Sequence, residues 1–175
     1  MLKTILSASA LSLALLSGAA SAATVTVDSK ANSTTGGTGL ATGVLLTVGQ
    51  LFSVTASATD TWSLGGNDAE CNREGNADGL TDCDQYNPYV SPSGLTAPYG
   101  TLVGQIGGGD FFVIGTNFLD KAVAAGELFL FNFDSYEGDN TGSIVATVAV
   151  PLPAGGLLLL GALGGIAALR RRKAV

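Results

Sequence analysis

The chain has 175 residues, with 8 basic and 14 acidic side chains, two cysteines and no histidine. The lack of histidine excludes the ordinary Ser-His and Cys-His relays of nucleophilic catalysis. The acidic balance excludes a nucleic-acid-binding surface, which has to be cationic. Two carboxylates would suffice for a glycosidase, but here the carboxylates gather in two turn-like segments. We therefore predict a protein that is not an enzyme.

The first 22 residues have the features of a secretory signal peptide. Lys3 supplies a positive start, residues 5–16 are apolar, and residues 20–22 place small side chains at the −3 and −1 positions of a cleavage site. We expect a signal peptidase to cleave before Ala23, with Thr24 as the alternative. The protein is then exported.

Between the two ends, the sequence predicts β-strands and no helix. Gly, Thr, Ser and β-branched residues dominate, and apolar residues alternate in short runs between Gly and Asn/Asp turns. Strands are predicted over residues 51–58, 101–106, 128–133 and 143–150, and residues 29–43 are predicted as a loop or a loose edge. Residues 23–150 therefore form one all-β domain, an antiparallel β-sandwich.

An acidic segment, residues 67–98, is predicted as an insertion in this sandwich. Four oxygen-bearing side chains within it stand at positions 1, 3, 5 and 9 of a loop: Glu74, Asn76, Asp78 and Asp82. With Gly79 at position 6, this is the spacing of Asp/Asn-rich calcium loops. Position 12 is Gln85 where an EF-hand has Glu, and no flanking helix is predicted. The segment is either a second calcium loop or a solvated acidic loop.

The only two cysteines, Cys71 and Cys83, flank that loop. An exported protein with two cysteines most often pairs them. A disulfide closing this loop would stabilise the domain by about 3 kcal/mol through the unfolded state. A zinc site would need histidine or further cysteines, and a catalytic thiol would lack an imidazole to activate it. We predict a disulfide that pre-organises the acidic loop.

A second acidic segment, residues 134–142, lies between the last two predicted strands. Its carboxylates, side-chain amide and turn carbonyls are the hard oxygen ligands that calcium requires. Asp, Asn and Gly are also the ordinary residues of turns, so a polar hairpin turn is the alternative. Residues 24–150 contain 3 basic and 14 acidic side chains, a net charge of −11. Such a charge suits an extracellular domain or one that binds divalent cations.

The order of elements around this segment resembles the PA-I type of calcium-dependent galactose-binding lectins. The resemblance covers residues 43–150, apart from the insertion. It rests on a Trp-containing corner at residues 56–62, a Gly-x-Leu-Val-x-x-Ile-Gly strand at 100–107, and a late strand followed by Asp-Asn-Thr-Gly-Ser at 139–143. It implies a galactose-binding-like sandwich that binds calcium.

By this resemblance, Asp134, Asp139 and Asn140 are the side-chain calcium ligands, and backbone carbonyls near Tyr136 and Gly65 assist them. Sugar specificity does not carry over, because the family's sugar-contacting His and Gln have no counterparts around residues 90–95. The aromatic side chains that could stack on a sugar ring are Tyr86, Tyr89 and Tyr99, and each could equally be a packing residue.

The C-terminal segment, residues 151–175, has the features of a membrane anchor. The apolar residues 154–169 would form a helix of about 24 Å, which snorkelling arginines and local thinning can fit to about 30 Å of hydrocarbon. The cations that follow should stay in the cytoplasm: Arg170, Arg171, Arg172 and Lys173. Two prolines hold the preceding chain extended at the outer edge, as a processing enzyme requires. A plain anchor is the alternative.

Motif, apolar segment and basic cluster occur in that order and resemble the PEP-CTERM sorting signals, in particular the Val-Pro-Leu-Pro-Ala variant. Here the motif is Val150, Pro151, Leu152, Pro153 and Ala154. The resemblance covers residues 150–173 and implies processing by an exosortase. It also implies transient anchoring in the inner membrane, followed by display on the cell surface or in the extracellular matrix.

Together, these features predict an exported matrix protein with a calcium-stabilised β-sandwich and a structural or adhesive role in exopolysaccharide or biofilm. The alternative is a calcium-dependent carbohydrate-binding module, and a glycosidase-like enzyme is the least favoured function. The expected partners are signal peptidase, an exosortase, the membrane before processing, and exopolysaccharide or other glycans.

Overall fold

A computed structural model of the chain describes residues 21–65, 73–81, 88–91 and 93–151. These residues belong to one compact unit, residues 20–151, and they form an all-β structure of antiparallel strands, which confirms the predicted fold class. Within these ranges, no helix is long and apolar enough to cross a membrane. Residues 1–20, Cys71, Asp82, Cys83 and residues 152–175 lie outside the described part, as does Tyr86.

Thirteen strands lie in the described ranges. In chain order they are β1 Ser21–Asp28, β2 Leu40–Leu46, β3 Leu51–Ala56, β4 Trp62–Ser63, β5 Glu74–Asn76, β6 Gly79–Leu80, β7 Tyr89–Val90, β8 Thr96–Ala97, β9 Leu102–Ile106, β10 Phe111–Val113, β11 Asn117–Lys121, β12 Gly126–Asn132 and β13 Thr141–Val150.

The strands form two main sheets and one small one. In the first sheet, β1 pairs along its whole length with residues 143–150 of β13, which also pairs with β3 in its second half and with β4 at its start. Strand β11 extends this sheet beyond β3, and β5 and β6 extend it beyond β4. The second sheet has the order β10-β9-β12-β2, and β7 pairs with β8. The long last strand therefore organises the first sheet.

The core lies between the two main sheets and follows the alternation of strand side chains. In β13, Ile144, Ala146 and Val148 are fully buried while Val145 is exposed. The opposite sheet contributes Leu128 and Leu130. A smaller apolar cluster contains Val103, Phe131 and Phe133, together with Ala97 of β8. Each fully buried aliphatic or aromatic side chain stabilises the fold by roughly 1.5–3 kcal/mol.

Residues 29–43, predicted as a loop or a loose edge, end in β2, an edge strand of the second sheet that begins at Leu40. The register between β2 and β12 shifts near Gly43, which has a positive φ of 73°. Its amide donates a hydrogen bond of 2.8 Å to the Glu127 carboxylate. Burial alternates along β2 through Gly43, but the buried Thr42 is polar and the exposed Leu45 is apolar, so the sequence shows no two-residue hydrophobic period.

The sandwich has two distinct ends, joined by β13. Strand β13 begins at Thr141, directly after the acidic segment 134–140. Its last residue, Val150, pairs with Ser21 at the start of β1. Ten strand residues extend about 30 Å or slightly more. Both predicted processing points thus adjoin one end of the sandwich. Cleavage before Ala23 would remove only two paired residues of β1 and leave six pairs in place.

Candidate functional site

The candidate site lies at the end of the sandwich where β12 leads into β13. Asp134 lies two residues after the end of β12 and is buried, although it is a carboxylate. The loop at residues 33–35 holds its backbone: the hydroxyls of Thr34 and Thr35 donate to the Asp134 carbonyl at 2.9 and 2.8 Å. The Asp134 amide donates to Thr34 Oγ1 at 3.0 Å. The position of this carboxylate is thus fixed by a neighbouring loop distant in sequence.

The two predicted carboxylates share one cavity. Asp134 and Asp139 both line a cavity of about 160 Å³, together with Tyr136. Gly65, at φ 68°, lies directly against Asp139, because a Cβ on this glycine would overlap the side chain and carbonyl of Asp139. The structure therefore brings together the loop residues and the remote Gly65 that the sequence predicts for one site.

The Asp134 carboxylate is in an environment that disfavours its charge. Burial raises its pKa above the ordinary 3.8, the amide of Asn140 and the N–H groups of Ser135 and Tyr136 lower it, and the charge of Asp139 raises it. The net effect is a raised pKa, although the Ser135 N–H donates to Asp134 Oδ1 at 2.7 Å. A cation beside it would favour the ionised form.

Asn140 presents a buried oxygen without a partner. Its Nδ2 donates to the Ser29 carbonyl at 3.1 Å, and its Oδ1 is buried and accepts no hydrogen bond. Asn132 has the same arrangement, with Nδ2 donating to Ser29 at 3.1 Å and Oδ1 unpartnered. A buried acceptor left unsatisfied costs about 1–3 kcal/mol. A cation bound to Asn140 Oδ1 would remove that cost.

The chemistry of this donor set fits calcium rather than a softer metal. In the described part of the chain, no three His, Cys, Asp or Glu side chains form a group that could hold a metal ion. A cation here would depend on two carboxylates, one amide oxygen and backbone carbonyls. Calcium takes six to eight such oxygen ligands with flexible geometry. The residues present suit that ion, and the metal itself remains a prediction.

The second predicted calcium loop folds as a hairpin of β5 and β6. Asn76 Nδ2 donates to the Ala58 carbonyl at 3.0 Å, and Asn76 Oδ1 accepts the Asp78 N–H at 2.8 Å. The Asp78 carboxylate accepts the N–H and hydroxyl of Thr116 at 2.7 and 2.9 Å. Glu74 lies on β5, and Asp82 lies outside the described residues. Metal binding by this loop stays a prediction. Asn76 and Asp78 join the hairpin to the sandwich by the hydrogen bonds given above.

Some residues of the cavity carry no signal in the sequence. Besides the acidic pair and Tyr136, the lining consists of Leu64, Arg73, Leu80, Tyr99 and Ser135. Arg73 comes from the acidic insertion and has a positive φ of 52°. Tyr99 stacks on Tyr89 with 4.6 Å between ring centroids, and its hydroxyl bonds Ser135 Oγ at 3.3 Å. Tyr99, one of the three tyrosines that could stack on a sugar ring, therefore lines the cavity.

Of the sorting motif, only its first two residues are described. Val150 ends β13 and is half-buried, whereas Pro151 is exposed. Leu152, Pro153, Ala154 and the basic cluster at 170–173 lie outside the described ranges. So do Cys71 and Cys83, so the disulfide stays a prediction. An exposed proline directly after a strand is compatible with access by a processing enzyme.

Comparison with known proteins identifies the fold. No protein-family model matches the chain, and no curated protein matches it. Among solved structures, it is similar to the N-terminal domain of EclA, described as a PllA-like lectin. The TM-score is 0.55 and the identity 20%, over 74% of this chain and 96% of that domain. The domain is therefore a lectin-like antiparallel β-sandwich.

Proposed function

We propose that this chain is an exported protein whose sandwich binds glycans in a calcium-dependent manner outside the cell. One observation carries the calcium part: the Asn140 side chain, whose amide hydrogen-bonds the buried carboxylate of Asp134, has a buried Oδ1 that accepts no hydrogen bond. Calcium would satisfy both groups. The lectin-like fold supports the glycan part. Binding, rather than turnover, is the activity.

Asp134, Asp139 and Asn140 would hold the cation by their side chains, and the carbonyls of Gly65 and of the chain near Tyr136 would complete its shell. A calcium ion with free coordination positions can accept sugar hydroxyls as further oxygen ligands. The cavity beside the carboxylates has aromatic walls at Tyr99 and Tyr136. Such a combination of apolar surface and a few polar groups is typical of small-molecule sites.

Export and sorting form the second part of the proposal. Signal peptidase would release residues 1–22, and an exosortase would act on the motif at 150–154 after the segment 154–169 enters the inner membrane. The acidic site and Pro151 lie at opposite ends of β13. The binding site therefore lies at the end remote from the chain's exit, both during anchoring and after release to the surface or matrix.

A second candidate function is a structural role in the matrix, with calcium serving only stability. The buried amides of Asn132 and Asn140 both bond the Ser29 carbonyl next to β1. This network couples the candidate metal ligands to the strand ends. A cation there would stabilise the sandwich whether or not a sugar binds.

The deciding experiment is a screen of residues 23–151 against glycans and bacterial exopolysaccharides, in calcium and again in EDTA. We expect binding in calcium that is lost in EDTA and in the double variant Asp134→Ala, Asp139→Ala. The matched control is Asp110→Ala, Asp120→Ala, which removes two exposed carboxylates elsewhere. No glycan binding, with a melting temperature still raised by calcium, would favour the structural role. Absence of any calcium effect would contradict both functions.

A further inference from the structure

The end of the sandwich opposite the acidic site exposes apolar side chains. Of the nine large hydrophobic residues that are exposed in the described part, five lie at this end, with exposed fractions between 41% and 84%. They are Leu45, Val48, Leu51, Leu119 and Val123, and we refer to them as the apolar tip. Leu45 faces outward from the second sheet and Leu51 and Leu119 face outward from the first, while Val48 and Val123 lie on the loops that connect the two sheets at this end. Exposed apolar groups gathered at one end of a domain mark an interaction surface.

Backbone hydrogen bonds hold the parts of the apolar tip together. The Gly49 N–H donates to the Ala122 carbonyl at 2.7 Å, and the Ala122 N–H donates to Gln50 at 2.9 Å. These bonds join the loops that carry Val48 and Val123. Leu51 pairs with Lys121 at the end of β11. The apolar tip is therefore a defined surface on adjoining loops and strand ends.

An apolar cavity of about 110 Å³ continues this surface inward. It is lined by Phe52, Ile106, Phe112 and Phe118, with Val123, Asp120 and Lys121 among its other lining residues. Three of these rings pack on one another, with centroids 5.2–6.2 Å apart. The rigid aromatic floor fixes the position of the residues above it.

The chain leaves the domain at the apolar tip. Ser53 pairs with Ala149, so continuing this antiparallel register places Leu51 opposite Pro151. The apolar residues 154–169 begin three positions further on, and three residues span at most about 10 Å. If that segment lies in a bilayer, the apolar tip is within reach of the same lipid surface.

We propose that the apolar tip rests on the phospholipid bilayer while residues 154–169 anchor the chain. This inference rests on the membrane-anchoring part of the proposed function. Side chains of Val48, Val123 and Leu51 would enter the interfacial region of the lipid. Contact there would hold residues 151–153 at a fixed depth and so present the processing motif at the membrane surface.

The charges beside the apolar tip point to the kind of lipid. Asp120 and Lys121 carry opposite charges next to each other on β11, and Glu127 of β12 pairs with Leu45. The apolar tip thus lacks the basic cluster by which proteins bind anionic lipid. Burial of apolar surface is the driving force, so contact should occur on zwitterionic lipid and should be insensitive to salt.

Tryptophan quenching by brominated acyl chains tests this contact directly. The natural Trp62 is buried at the opposite end and supplies an internal reference. The probe is Val123→Trp, and the matched control is Val90→Trp, since Val90 is exposed away from the apolar tip. Each full-length variant is reconstituted in phosphatidylcholine vesicles with and without bromine, after flotation has shown that the chain is anchored.

We expect loss of emission on bromination for Val123→Trp and none for Val90→Trp. Adding Val48→Asp, a change at an exposed position, should reduce the quenching of Val123→Trp without altering flotation. Equal emission of both probes with and without bromine would overturn the proposal. Protection of the Val123→Trp probe in lipid-free buffer, together with a dimer in sedimentation, would overturn it in favour of a second copy of the chain.

A second measurement separates this inference from the anchor itself. Residues 23–151 with a C-terminal hexahistidine tag can be attached to vesicles that contain a nickel-chelating lipid, which tethers the domain by the same end. If the full-length chain does not float with the vesicles, the proposed membrane anchor is wrong. The tethered domain then tests by itself whether the apolar tip contacts lipid. Quenching of Val123→Trp on these vesicles would support contact of the apolar tip with lipid, and unquenched emission would overturn it.

Discussion

The two ends of this sandwich differ in what they leave unsatisfied. At the acidic end, burial raises the pKa of the Asp134 carboxylate, and the buried amide oxygens of Asn132 and Asn140 accept no hydrogen bond. At the apolar tip, Val48 and Val123 are exposed to water. Each arrangement costs free energy in an isolated domain. A cation would relieve the first and a lipid surface the second.

The sheets set the fold, and the two ends of the sandwich each carry one candidate interaction site. The strands between them bury an ordinary aliphatic core, which contains Val27, Val54 and Val148. That core sets the fold and places the ends about 30 Å or slightly more apart along β13. A binding function and an anchoring function can then coexist, because neither site contributes residues to the other.

The largest loss of stability is expected for a buried residue at the acidic end, in contrast to an exposed residue of the apolar tip. Trp62 is buried, and its Nε1 donates to the Gly100 carbonyl at 2.9 Å. Trp62→Ala should lower the free energy of unfolding by about 3–5 kcal/mol. The control Leu119→Ala, at an exposed position, should change it by less than about 0.5 kcal/mol. Urea denaturation in EDTA measures both, and equal losses would contradict the assignment.

The next effect concerns calcium itself. At a calcium concentration 100-fold above its Kd, binding should stabilise the native domain by about 2.7 kcal/mol. The double variant Asp134→Ala, Asp139→Ala should lose this stabilisation, since it removes both carboxylates of the cavity. Thermal melting in calcium and in EDTA measures the difference. Asp110→Ala, Asp120→Ala is the control, and a calcium shift that survives in the first variant would refute the site.

A smaller effect should follow from the amide of Asn140. Asn140→Ala removes a hydrogen bond to Ser29, which Asn132 still bonds, and one to the Asp134 carboxylate, so stability in EDTA should fall by about 1–2 kcal/mol. Calcium affinity should fall by roughly 10- to 100-fold, because even the loss of a group that only hydrogen-bonds a metal ligand has an effect of that size. Calorimetric titration measures it. Unchanged affinity would remove Asn140 from the ligand set.

Alternation predicted four of the thirteen strands in the described ranges. Predicted strands at 51–58, 101–106, 128–133 and 143–150 correspond to β3, β9, β12 and β13, with each boundary within two residues. Strand β2 was hidden because its buried Thr42 is polar and its exposed Leu45 is apolar, although burial alternates along the strand. Strand β11 was missed because it lies at a sheet edge and is largely exposed, so its side chains show no two-residue period.

The candidate site likewise contains residues that could be predicted from the sequence and residues that could not. Asp134, Asp139 and Asn140 could be predicted because they follow one another in a loop between two recognisable strands. Arg73 and Tyr99 could not, because they reach the cavity through tertiary pairing. Leu80, for example, bonds the carbonyl of Tyr99 at 2.8 Å across nineteen positions. The periodicity of the sequence does not indicate contacts between such distant residues. Only the three-dimensional structure shows that Arg73 and Tyr99 line the cavity.

The smallest expected effect is a pH dependence that reverses with calcium. The raised pKa of Asp134 means that the folded domain binds its proton more tightly than the unfolded chain does. In EDTA this group's contribution to stability is therefore fully present below pH 3.8, the ordinary Asp value, and is lost as the pH rises through the raised pKa. Calcium requires the ionised carboxylate, so acidification should instead weaken the calcium-bound form.

The variant Asp134→Asn isolates this contribution because it cannot titrate at that position. The stability difference between the wild type and Asp134→Asn in EDTA should grow in favour of the wild type as the pH falls, whereas in calcium it should shrink. Asp120→Asn, at the apolar tip, should show no such reversal between EDTA and calcium. Urea titrations at a series of pH values measure each difference. Parallel pH profiles in EDTA and in calcium would show that no cation binds beside Asp134, and the contrast between the two ends would then rest on the apolar tip alone.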